Sequence, residues 1–178
     1  MKNICIIILF LSILTNAQEK YLTKNGLVNF EASVPSFEEV SATNNSVTAI
    51  LNINTNEFAA LVLVKAFRFK NALMEEHFNE NYAESFEYPK ATFTGIIKGF
   101  NFKSNSENYL LSGNLTFHGV TNPIDNIPIN IIVNDKTITM TGSFNVLVSD
   151  YNIKIPKIVS SKVSKNVEIS FQFNLNEK

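Results

Sequence analysis

Along most of the chain apolar and polar residues alternate with a period of two, the pattern of strands that bury one face. Val28, Phe30, Ala32 and Val34 alternate with Asn29, Glu31 and Ser33. Val47, Ala49, Leu51 and Ile53 alternate with Thr48, Asn52 and Asn54. A third strand covers about 58–64, a fourth carries Ala91, Phe93, Gly95 and Ile97, and a fifth carries Tyr109, Leu111, Gly113, Leu115 and Phe117. Ile127, Ile129, Ile131 and Val133 mark a sixth, and Ile138, Met140, Gly142, Phe144, Val146 and Val148 a seventh. Val167, Ile169, Phe171, Phe173 and Leu175 mark an eighth. Turn residues fall between them: Asn54-Thr55-Asn56, the polar loop 104–108, and the tight Asn134-Asp135-Lys136. The pattern predicts one all-β domain of eight antiparallel strands.

Two segments depart from the alternation. Residues 71–86 read as a helix capped by Asn71, with Glu75 and Glu76 near its positive end and Pro89 beyond it. Met74, Phe78 and Tyr82 fall at i, i+4, i+8, and Leu73 and His77 extend that face. In the second segment, 150–165, Ile155, Ile158, Val159 and Val163 can share a helical side, with Lys154, Lys157, Lys162 and Lys165 elsewhere.

The first 17 residues have a different character. Lys2, the apolar run Ile4 to Leu14 and the small residues of Thr15-Asn16-Ala17 have the layout of a secretory signal peptide. The run is too short to span a bilayer, which takes about 20 residues. The expectation is a mature chain from Gln18, periplasmic or secreted. Cleavage removes Cys5, the only cysteine, and with it any disulfide or thiol chemistry. It also removes one lysine, so 14 basic and 16 acidic residues remain, a net charge of −2. That balance argues against a nucleic-acid partner.

Eight amphipathic strands can close into a barrel or fold as a sandwich. Phe30, Phe93, Phe117, Phe144, Phe171 and Phe173 fill the apolar side, whereas Ala32, Ala49, Ala91, Gly95, Gly113 and Gly142 leave room. The small residues point to a cavity, against the reading that they only let strands bend. An outer-membrane barrel alternates as well, with its apolar side toward lipid. Short strands and the lack of aromatic girdles argue against it here.

Tyr88-Pro89-Lys90-Ala91-Thr92-Phe93 and the stretch from Leu111 to Pro123, LSGNLTFHGVTNP, resemble the paired signatures of the YceI-like family, in the same order. The segment 73–82 is similar to one in Bacteroidetes-type members, with Glu75-Glu76-His77-Phe78 where many carry Asp-x-His-Leu. The resemblance implies a lipocalin-like eight-stranded antiparallel barrel, with one helix between strands three and four. It also implies a non-catalytic protein that holds an isoprenoid-like lipid, a quinone tail or another long chain. On such a barrel the ligand-facing residues are expected to be Phe30 and Leu51, Met74 and Phe78 of the helix, Phe93 and Ile97, and Tyr109, Leu111, Leu115 and Phe117. Ile129, Ile131, Met140, Phe144, Val146, Phe171 and Phe173 complete the set. The alternative is a filled barrel acting as a stress or protein-interaction module.

Catalytic and metal chemistry has little to build on. His77 and His118 are the only histidines, no metal-binding or nucleophile motif joins them, and no cofactor fingerprint is visible. Because His118 ends a strand before Gly119, it reads as a hydrogen-bonded turn residue. The lysines of 154–165 suggest peripheral contact with anionic lipid, against the reading of a solvated loop. Strand three is apolar on both faces, which makes it a candidate homodimer surface.

Overall fold

The computed structural model describes residues 19–35, 37–104 and 107–178. The expected leader therefore lies outside the described residues. In chain order the strands are β1 (Lys20–Ser33), β2 (Ser41–Asn52), β3 (Glu57–Leu63), the two-residue β4 (Arg68–Phe69), β5 (Lys90–Lys98), β6 (Asn108–Phe117), β7 (Val120–Asn134), β8 (Thr137–Leu147) and β9 (Val163–Glu177). All pairings are antiparallel, in the order β1-β9-β8-β7-β6-β5-β3-β2, and β2 returns to β1 to close the sheet. The result is an eight-stranded barrel, with β4 a short addition to the edge of β2 at Ala42 and Thr43. The alternating apolar residues point inward and are buried or half-buried. The sheet is thus turned the opposite way from an outer-membrane barrel.

Each of the eight predicted strands is present, and several are longer than the alternation indicated. β1 starts at Lys20 because two register shifts against β2, on either side of Gly26, put its first half out of phase. β2 starts at Ser41 because an inward position is polar. Asn44 is fully buried, its amide donates to the Leu63 carbonyl at 3.0 Å, and its Oδ1 accepts from the Ser46 N–H at 2.9 Å. In β7, Pro123, Pro128 and a bulge with Asn126 at φ 56° hide the start at Val120.

The helix is shorter than predicted. α1 spans Ala72–His77, with Asn71 Oδ1 accepting from the Leu73 N–H at 2.9 Å as its cap. The chain then widens into a π turn over Phe78–Tyr82. Asn79 holds that wider turn, donating to the Glu75 carbonyl and accepting from the Ser85 hydroxyl. Glu84 at φ 42° ends it. Leu73 is exposed and does not extend the apolar face. The 150–165 segment is not a helix either: a 3-10 turn at Val148–Tyr151 ends on Asn152 at φ 59°, and turns around Pro156 lead into β9.

Strand direction sorts the connections by end. The lower end has the 53–56 turn, the 99–107 loop and the two-residue hairpin Asp135-Lys136. The upper end has 34–40, the long 64–89 connection, the His118-Gly119 hairpin and 148–162. Leu51, Ile97, Ile131, Ile138, Met140 and Leu175 fill the lower half completely. Outside the barrel, Leu63 of β3 is exposed; α1 and its π turn pack toward Phe30, Phe67 and Phe69 instead.

Candidate functional site: a cavity in the upper half of the barrel

Above the packed half lies a cavity of about 390 Å³ with an almost wholly apolar lining. Its floor is aromatic. Phe171 stacks on Phe173 with ring centres 5.3 Å apart, and Phe58 meets Phe173 at 5.6 Å and Phe93 at 6.3 Å. Leu111 and Ile127 complete the floor, and Phe30, Leu115, Phe117, Phe144 and Val146 form walls. Met74, His77, Phe78 and Tyr82 cover one side of the mouth, and Ile155, Val159 and Val163 the other.

The helical cover is anchored by rings. Phe78 lies 5.2 Å from Phe30, 5.8 Å from Phe67 and 5.2 Å from Phe69, between centres. Polar ties reinforce it. Glu75 accepts from the Arg68 guanidinium at 3.0 Å and from the Phe69 N–H at 3.1 Å. Lys70 donates to Glu39 on the 34–40 loop, and that bond holds the Glu39 carboxyl below the usual carboxylate range.

Of the residues the sequence placed against a ligand, eleven line this cavity: Phe30, Met74, Phe78, Phe93, Leu111, Leu115, Phe117, Phe144, Val146, Phe171 and Phe173. The other six, Leu51, Ile97, Tyr109, Ile129, Ile131 and Met140, lie in the packed half beneath the floor. Alternation tells which face a residue occupies; it does not tell the height along the barrel axis. The alternation also passed over the lining residues of the upper connections, Phe67, Phe69, Ile155 and Val159 among them. Their signal was an apolar content too high for solvated loops, with no strand period.

The glycines do not create the cavity, contrary to the sequence argument. Gly95 and Gly113 face each other across β5 and β6, and a Cβ on Gly113 would stand 2.2 Å from the Thr94 carbonyl oxygen and 2.9 Å from the Phe93 ring. A Cβ on Gly142 would stand 2.7 Å from the Phe171 ring. The space each glycine leaves is taken by a phenylalanine from the same layer, which lets the floor rings lie against the sheet.

The motif residues stitch the mouth. His118 at φ 48° and Gly119 at φ 74° form the two-residue turn between β6 and β7. The His118 Nδ1 is 2.8 Å from the Tyr151 carbonyl oxygen, and its Nε2 is 2.7 Å from a Glu84 carboxylate oxygen. Both partners are acceptors, so each contact is made by a ring N–H. The Tyr88 ring meets the His118 ring at 4.6 Å and covers Gly119, where a Cβ would come within 2.8 Å of it. Asn122 donates to the Asp150 carbonyl at 2.6 Å. One hairpin thus holds both long upper connections. Tyr151 packs beneath, 6.0 Å from Phe117, and burial pushes its phenol pKa up. Among the described residues, no group of three or more His, Cys, Asp or Glu side chains is placed to hold a metal ion.

Comparison with known proteins follows the same architecture. A model of the YceI-like domain matches residues 22–175. BcnA of Burkholderia cenocepacia superposes with a TM-score of 0.71 at 18% identity, covering 84% of this chain and 95% of that one. A polyisoprenoid binding domain from Saccharophagus degradans, implicated in plant cell wall breakdown, gives 0.75 at 14% identity, covering 89% and 98%. A Campylobacter jejuni YCEI protein gives 0.64 at 18% identity, covering 82% and 89%. No curated protein matches the chain.

Proposed function

This chain belongs to the YceI-like domain family, and we propose that it is an exported, non-catalytic carrier that holds an isoprenoid-like or other long-chain lipid in the upper half of its barrel. The observation that carries this reading is the cavity itself: apolar on nearly every side, closed below by a packed core and covered above by one short helix and one loop. A filled barrel would have no such space. The polyisoprenoid binding domain from Saccharophagus degradans shares the fold, which supports a lipid as the class of ligand.

The energetics are adequate. A tail that hides on the order of 500 Å² of apolar surface gains roughly 12 kcal/mol gross. Association and ordering take back several kcal/mol, which leaves micromolar or tighter binding within reach. The lining has few polar groups with which to discriminate, so selectivity among tails of similar length is low. A quinone tail is one such ligand. Export rests on the leader-like first 17 residues and predicts a mature N-terminus at Gln18.

Native mass spectrometry of the protein purified from the envelope of its own cells tests both points. The expected spectrum shows a chain beginning at Gln18 with an apolar adduct that organic solvent removes. A ligand-free protein that also fails to take up a long-chain isoprenol added in detergent would overturn the carrier reading.

A further inference from the structure

We propose that the connection between β8 and β9 docks the barrel mouth onto an anionic lipid bilayer, with Ile158 as the inserted residue. From Tyr151 to Val167 the chain carries Lys154, Lys157, Lys162 and Lys165 and not one acid. Among the described residues none of these lysines has an ion-pair partner; the three ion pairs all lie elsewhere. Ile158 is 86% exposed in the middle of this cationic stretch. Its neighbours Ile155 and Val159 turn the other way and line the cavity. The connection and the start of β9 therefore present an apolar tip and exposed, unpaired lysines to solvent, with Lys162 at the cavity rim, and turn Ile155 and Val159 inward as cavity wall.

Charge selects the occupant. An isolated isoleucine ringed by lysines suits the boundary between headgroups and acyl chains of an anionic bilayer, where the side chain leaves water and the amines meet phosphates. Charge also sets the orientation. The rim formed by the 64–89 connection carries Glu75, Glu76, Glu80, Glu84 and Glu87 against Lys65, Arg68 and Lys70, five acids to three bases, an excess that an anionic surface repels. Phe86 is 90% exposed on that rim, but it sits between two of those glutamates with Lys65 over its ring at 4.9 Å, so it is not the anchor. The barrel meets the bilayer by one edge, along which the cavity wall runs. Why such docking is useful rests on the carrier reading; whether it occurs does not.

The chain contains no Trp, so Ile158→Trp installs a single reporter at the proposed point of insertion. The barrel is closed by residues 20–177, so the chain from Gln18 is the form to use, and it keeps the apolar leader out of the measurement. With vesicles of three parts phosphatidylcholine to one part phosphatidylglycerol at low salt, the expected result is a blue shift of the reporter and cosedimentation of the unsubstituted protein. With pure phosphatidylcholine neither is expected. Replacing the four lysines by glutamine should weaken cosedimentation by roughly a thousandfold, at about 1 kcal/mol per lysine near the surface. Ile158→Ser, in an exposed loop that leaves the barrel intact, should weaken it severalfold. Absence of binding to the anionic vesicles, equal binding to neutral ones, or binding indifferent to the glutamine substitutions would each overturn the proposal. Uptake of a detergent-delivered isoprenol, measured on the same samples, separates the two readings. Uptake without docking overturns only the docking, and docking without uptake overturns only the carrier.

Discussion

The two halves of the barrel are built from the same strands and the same alternating pattern, yet one is solid and the other hollow. In the lower half Leu51, Ile97, Ile131 and Met140 are fully buried in one core, and two tight turns and the connection from Lys98 to Asn108 lie at that end. In the upper half phenylalanines stand among smaller inward residues such as Ala32, Ala60, Val62 and Ala91, and long connections arch over the gap. The difference shows that a barrel of this size need not be hollow throughout to enclose a cavity. One half supplies stability and a rigid floor, and the other can give up packing for space.

Substitutions should therefore separate the halves. The largest loss is expected from Leu51→Ala in the packed half, about 2–5 kcal/mol, or a fall in Tm of roughly 6–15 °C for a chain of this size. Lipid uptake by the fraction still folded should be unchanged. Gly113→Val comes next, at about 1–3 kcal/mol, because its Cβ would meet the Thr94 carbonyl and the Phe93 ring. Thermal unfolding and an uptake assay on one sample will show whether displacing the floor ring damages both properties together, as expected. His118→Ala should cost about 1–2 kcal/mol and speed hydrogen exchange at 83–90 and 148–153 while leaving the lower strands protected. Equal loosening of both halves would contradict the assignment of His118 as a local stitch.

The smallest effect on stability is expected from Phe144→Ala, below about 1 kcal/mol, because this half-buried ring borders space already empty. The charged Phe144→Lys should instead reduce lipid affinity by more than about tenfold, since a lysine in an apolar wall must keep its charge solvated or lose it. An unchanged affinity would place the ligand outside the cavity.

The fold was readily legible. Seven strands follow from the alternation alone, since Phe93, Gly95 and Ile97 or Phe171, Phe173 and Leu175 have no other economical reading, and the third follows from the continuous apolar run 58–64. Strand ends were less so, because Asn44 is polar yet buried and Gly26 sits between two register shifts. Helix length was misjudged because the Asn79 side chain, by bonding both to the Glu75 carbonyl and to Ser85, widens the turn. The cavity was half legible. The inward face could be read, but height along the axis depends on which strands the long connections join, and so Ile129 and Phe144 looked equivalent. The role of Gly95, Gly113 and Gly142 was hidden because the rings that cover them come from other strands or from two residues away.

The closure of β1 onto β9 has a consequence for how the protein is made. The first and last strands lie side by side, and the Lys178 N–H reaches the Lys20 carbonyl at 2.9 Å. Until β9 has been synthesised, the sheet has two open edges and the cavity has no complete wall. Pairings of such long sequence separation form slowly, so the barrel closes only after the last strand has been made. Under the proposed export, this order of assembly would leave the barrel, and with it lipid capture, to the far side of the membrane.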